Sequence, residues 1–158
     1  MTTPSASLGT HKSMIWKSIW AVFAGFLVIF VLSLGTDEIL HLLGVYPPWK
    51  EPMWDPKLNA LALGYRLIYD TFGSYVTAKL APRAPVKHAV IGGLIGLVLS
   101  LGGVIATMQG NIGPLWYPVA LSLSSPITAW IGGMLFVRNA AATARGDSPS
   151  GDRSSTIR

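Results

Sequence analysis

The sequence has no cysteine and little charge of either sign. Of its 158 residues only 12% are Asp, Glu, Lys or Arg, against about one quarter in a typical soluble domain. Half of the usual solvating surface is therefore missing, which excludes a disordered chain and an ordinary soluble enzyme. The lack of cysteine removes disulfides, thiolate metal sites and cysteine nucleophiles. Acidic residues are scarcer than basic ones, 7 against 12, giving a net charge of +5. That excess is spread singly between apolar runs rather than gathered on one face, so no nucleic-acid partner is expected.

What is present is apolar sequence in long runs. A bilayer core about 30 Å thick needs about 20 apolar residues of helix. Four segments meet that need, at about 15–35, 58–80, 86–108 and 115–137. The second is the weakest, because Arg66 and Asp70 lie inside it. Runs this long without alternation predict helices rather than barrel strands. The expected fold is an all-α integral membrane four-helix bundle, with the lipid bilayer as its first partner.

Lysine and arginine set the expected orientation. Lys12 and Lys17 precede the first span, Lys79, Arg83 and Lys87 lie between the second and third, and Arg138, Arg145, Arg153 and Arg158 follow the fourth. In the first connection Lys50 and Lys57 are balanced by Glu51 and Asp55, and the third connection is uncharged. Both termini are therefore expected in the cytoplasm. Trp16 and Trp20 are expected at the inner boundary, and Tyr46, Trp49, Trp54, Trp116 and Tyr117 at the outer one. Trp130 alone falls deep in a span, where its indole N–H needs a partner. A cleaved signal peptide is the competing reading of the first span, but the run is long for one, and cleavage would leave three spans. The stretches 1–12 and 139–158, rich in small and polar residues, are expected as disordered cytoplasmic tails.

The pentapeptide VLSLG occurs at 31–35 and again at 98–102. Spans one and three would then correspond, giving a 2+2 parallel internal repeat; the plainer account is chance recurrence of common apolar residues. Span three carries Gly92, Gly96 and Ser100 at four-residue spacing, with Gly93 and Gly103 nearby. Such a stripe lets another backbone approach closely. It serves either a helix of the same chain or a contact in a homo-oligomer or larger membrane complex. Pro126 lies inside SLSSPIT in span four, where it removes a backbone hydrogen bond and predicts a kink. Ser122, Ser124, Ser125 and Thr128 stand ready to satisfy the freed carbonyl.

Three polar groups stand where lipid penalises them. Asp37, Glu38 and His41 end span one, with Asp37 and His41 spaced i, i+4 on one face. Glu38-x-x-His41 is half of a carboxylate di-metal pattern and has no second half, so no metal is expected. Arg66 and Asp70 lie one turn apart in span two, about 19 and 13 Å from the inner boundary by helical rise. Ionisable residues at that depth mark function by default, and the alternative is an internal ion pair that orders the bundle. Arg66 is expected to reach toward Asp37 or Glu38 across about 12 Å of depth, part of which helix tilt can close. A pocket open to the outer face follows, lined by Asp37, Glu38, His41, Arg66, Tyr69 and Asp70 and lidded by the stiff loop GVYPPWKEPMWDP. No phosphate loop, dinucleotide fingerprint, Ser-His-Asp set or zinc helix is present, so no cofactor is expected.

At TDEILHLLGVYPPW, GYRLIYDTFGSYVTAKLAPRAPVKHA and LWYPVALSLSSPITAWIGG the chain resembles a group of small bacterial four-span membrane proteins. The resemblance covers most of residues 20–135. It implies a bacterial inner-membrane location and implies no activity. The functional expectation is a non-enzymatic accessory or assembly subunit or a small homo-oligomer. The alternative is a small transporter or proton-coupled carrier using Arg66 and Asp70. A third reading is an outer-interface enzyme using Asp37, Glu38 and His41.

Overall fold

The computed structural model describes residues 5–146. These form four helices, α1 (Ser5–Leu42), α2 (Pro56–Leu80), α3 (Pro85–Gly110) and α4 (Trp116–Gly146). Local chemistry fixes their ends. Gly44 takes a left-handed φ of +68° just past α1, and its N–H bonds back to His41 O at 3.0 Å, as C-terminal caps require. Asp55 caps α2 by accepting from Lys57 N at 2.7 Å, with Pro56 opening the helix. Pro85 opens α3, and Asn111 closes it in the left-handed region. The helices extend beyond the expected spans: α1 begins at Ser5 and α4 runs to Gly146, so both enter stretches expected as tails. Residues 1–4 and 147–158, the outer parts of those tails, lie outside the described residues.

Three of these helices, over Ser13–Leu42, Pro85–Gly110 and Trp116–Arg145, are long and apolar enough to cross a membrane. The burial pattern agrees. The fully buried apolar side chains are mainly alanines (21, 62, 78, 89 and 129), and Asp37, Asn59, Ser74, Thr77 and Ser122 are buried with them. Large apolar side chains such as Phe30, Ile68, Leu99 and Leu123 are more than half exposed. A surface of this kind suits lipid rather than water.

Glycine lets the helices close on one another. Gly25 of α1 and Gly73 of α2 face each other, and a Cβ on either would stand 2.7 Å from the other's carbonyl oxygen. Gly132 of α4 meets the α2 backbone at Thr71 and Tyr75, while its neighbour Gly133 meets Val86 and Ala89 of α3. The two adjacent glycines thus let α4 pack on two helices at one level. On α3, Gly93 rests on Ser125, Pro126 and Ala129 of α4, and Gly96 on Ser125. Gly92 approaches Val22 of α1, and Ser100 bonds to its own helix at Leu97 O. Most of the small-residue stripe therefore receives helices of the same chain, while Gly102 and Gly103 face open space. Pro126 sits inside a continuous helix. The hydroxyls around it do not serve the carbonyl it frees. Ser122 donates to Pro118 O, Ser124 to Leu121 O, Thr128 to Ser124 O or Ser125 O, and Ser125 crosses to Gly93 O of α3 at 3.0 Å.

Helix α2 packs against all three others, α4 against α2 and α3, and α1 chiefly against α2. Helices α1 and α4 do not pack together, whereas α2 and α3 do. Exchange of the two helix pairs by a twofold axis would make those relationships equal. The lightest packing is between α1 and α3. They meet toward their N-terminal ends, where His88 Nε2 lies 2.9 Å from Ser18 Oγ, and leave a cleft beyond.

Candidate functional site: a buried ion pair beside a polar cleft

Asp37 and Glu38 are one residue apart on α1, and the helix turns about 100° between them. Asp37 is consequently buried and Glu38 exposed. The Asp37 carboxylate receives two donors from α2: Arg66 Nη2 on Oδ2 at 2.5 Å, and the Tyr65 hydroxyl on Oδ1. A second layer completes the contact. The Tyr46 hydroxyl lies 3.4 Å from that of Tyr65, and Tyr69 OH pairs with Thr36 Oγ1 at 2.8 Å. The expected reach of Arg66 to α1 is thus realised on Asp37, and helix packing closes the gap that straight helices would leave.

The α1–α2 loop is pinned over this cluster. Met53 N bonds to Ile112 O of the α3–α4 connection at 3.1 Å, and the buried Asn59 amide holds Met53 O and Asp55 O. Tyr46 turns inward under the loop and is only 6% exposed, so it is an interior hydrogen-bonding residue rather than an interfacial anchor. Burial pushes its hydroxyl above the ordinary tyrosine value, with the hydrogen bond to Tyr65 opposing the shift. His41 stacks beside Trp49, ring centres 4.0 Å apart, and its Nδ1 is buried without a partner.

The residues expected to line one pocket are divided between two. Glu38 and His41 border a cavity of about 740 Å³ beneath the α1–α2 loop, with Tyr46, Trp49, Trp54 and Asp55. Arg66 and Asp70 border a separate cleft of about 470 Å³ among the four helices. Asp37 lines neither; with Tyr65 it stands between them. Tyr69 also lines neither and is engaged with Thr36.

Compared with known protein families, curated proteins and solved structures, the chain matches none. The site is therefore read from its own chemistry. Arg66 is committed to Asp37, and its Nε is buried without a partner. Asp70 makes no hydrogen bond or ion pair among the described residues, and Arg66 acts on it only through space. With all three ionised, the two acids and one base sum to a single negative charge, and Asp70 at the cleft wall is the acid without an ion-pair partner. No group of three His, Asp or Glu side chains among the described residues is placed to hold a metal.

The expected set of Asp37, Glu38, His41, Arg66, Tyr69 and Asp70 does not include Tyr65, Tyr46 and Thr36, the hydrogen-bonding partners in this cluster. Tyr65 carried a signal in its spacing: it shares a face of α2 with Tyr69 and adjoins Arg66, and all three turn toward α1.

Proposed function

We propose that the chain is a four-span protein of the bacterial inner membrane with both termini in the cytoplasm, acting as a small proton-coupled carrier in which Asp70 is the exchanging carboxyl. Alternating basic and neutral flanks support the orientation. The observation that carries the reading is the commitment of Arg66 to Asp37, which leaves Asp70 alone on the cleft wall. An ordering role accounts for Asp37, Arg66 and Tyr65, which meet at one carboxylate. It does not account for Asp70, and an unpaired carboxyl at that depth is costly unless it is used.

The test is proton flux in proteoliposomes under an imposed pH gradient. Wild-type protein should collapse the gradient when solute is supplied, Asp70→Glu should retain this, and Asp70→Asn should lose it while reconstituting at normal yield. Equal flux with Asp70→Asn, or a loss traced wholly to lower folded yield, contradicts the carrier reading.

A second reading, an accessory subunit or small homo-oligomer, is favoured by Gly102 and Gly103 of α3, which have nothing within 4 Å. A bulky residue at Gly103 should then disrupt co-purification of a partner or of a second copy.

A further inference from the structure

We infer that the cleft between α1, α2 and α3 binds a lipophilic organic monocation, one with a single delocalised or shielded positive charge on an apolar body. The inference rests on the carrier reading and names its substrate class. The volume, about 470 Å³, falls within the range of small-molecule sites, about 300–1,000 Å³.

Charge sets the sign of the ligand. With Arg66 neutralised by Asp37, the only uncompensated charge at the cleft is the Asp70 carboxylate. Arg66 Nε has no exposed surface and is closed to a ligand. Hydroxyl orientation reinforces the choice. Ser100 and Ser125 line the cleft but spend their protons on Leu97 O and Gly93 O, at 2.9 and 3.0 Å. Their oxygens thus present lone pairs that suit a cation, and the Ser33, Ser74 and Thr77 hydroxyls in the same wall can accept as well as donate.

The remaining wall sets the body of the ligand. Val22, Phe26, Ile29, Phe30, Leu99 and Leu121 supply apolar surface, including aromatic rings able to face a cation. Phe30 and Leu99 are also 61% and 65% exposed, on the side where α1 and α3 pack most lightly. The mouth of the cleft therefore faces the hydrocarbon phase, which admits a cation only if its charge is spread over apolar bulk. A strongly hydrated ion would have to shed its water to enter, with one carboxylate and a few hydroxyl oxygens in return.

Tetraphenylphosphonium binding to the full chain in detergent, followed by equilibrium dialysis, tests this. Saturable binding is expected for wild type and Asp70→Glu, with at least a tenfold loss in Asp70→Asn. Circular dichroism and size-exclusion profiles of the variants establish that they are folded. Sodium and tetramethylammonium at the same concentration should not displace the probe. Binding to folded Asp70→Asn at wild-type strength, no binding to folded wild type, or displacement by sodium overturns the inference. Asp70-dependent proton flux without probe binding would overturn the substrate class and leave the carrier reading intact. Probe binding without flux would support the site and remove the carrier reading.

Discussion

Arg66 turns its guanidinium across to Asp37 of α1, at 2.5 Å, rather than along its own helix to Asp70 one turn away. Spacing i, i+4 on one helix would favour the second pairing. The first is available because glycines at 25 and 73 bring α1 and α2 close together, and because Tyr65 adds a second donor to the same carboxylate. A pairing between helices ties the bundle together, and it releases Asp70 for another use.

The pair should behave as a buried ion pair does. Removing one partner leaves an uncompensated charge, so Arg66→Ala or Asp37→Leu alone should cost about 3 kcal/mol or more. The double variant Asp37→Leu with Arg66→Met should recover much of that loss. Thermal unfolding in detergent is the measurement. Strictly additive losses would mean that the two side chains act independently.

Glycine positions separate close crossings from open surface. A Cβ at Gly73 would press on the Gly25 carbonyl and the Ile29 side chain, whereas one at Gly103 would meet nothing. Gly73→Ala should therefore destabilise the fold by about 1–3 kcal/mol through overpacking. Gly103→Ala should be neutral or stabilise by up to about 1 kcal/mol through helix propensity. The same unfolding assay reads both, and equal effects would contradict the packing described.

Alkaline pH should find Tyr46. Burial raises its folded-state value, so the unfolded chain gives up this proton first. Its contribution to stability is then whole below about pH 10, the ordinary tyrosine value, and is lost as pH rises through the folded value. Titration followed by tyrosinate absorbance should lose one late-ionising tyrosine in Tyr46→Phe. That variant should also unfold less steeply with rising pH. Loss of a tyrosine that ionises near the ordinary value of about 10 would instead place the hydroxyl in solvent.

Orientation has a direct assay because the chain has no cysteine of its own. Single cysteines replacing Pro48 or Asn111 should react with an impermeant maleimide from the periplasmic side of intact cells. One replacing Ala81 should react only after lysis. The reverse pattern would invert the proposed topology.

The helices were legible in the sequence because span length and apolar content are local properties. Arg66 and Asp70 stand out because charge inside a long apolar segment is conspicuous, and Asp37 because it ends one. Partition among the charged groups was harder to read. Glu38 was grouped with Asp37, yet a single residue step sends one into the bundle and the other to its surface. By residue type Tyr46 belongs with the interfacial aromatics Trp49 and Trp54, yet past the left-handed turn at Gly44 it lies buried. Tyr65 carries no charge, so its place beside Asp37 depends on helix packing that residue type alone does not encode.

The central claim is that Asp70 is the available carboxyl of the cleft while Asp37 is committed to Arg66 and Tyr65. A hydrophobic carbodiimide, which reacts with carboxyl groups accessible from the apolar phase, addresses it directly. Peptide mapping by mass spectrometry after labelling should place the adduct on Asp70 and leave Asp37 unmodified, with tetraphenylphosphonium slowing the reaction. An adduct on Asp37 with Asp70 untouched would contradict the account.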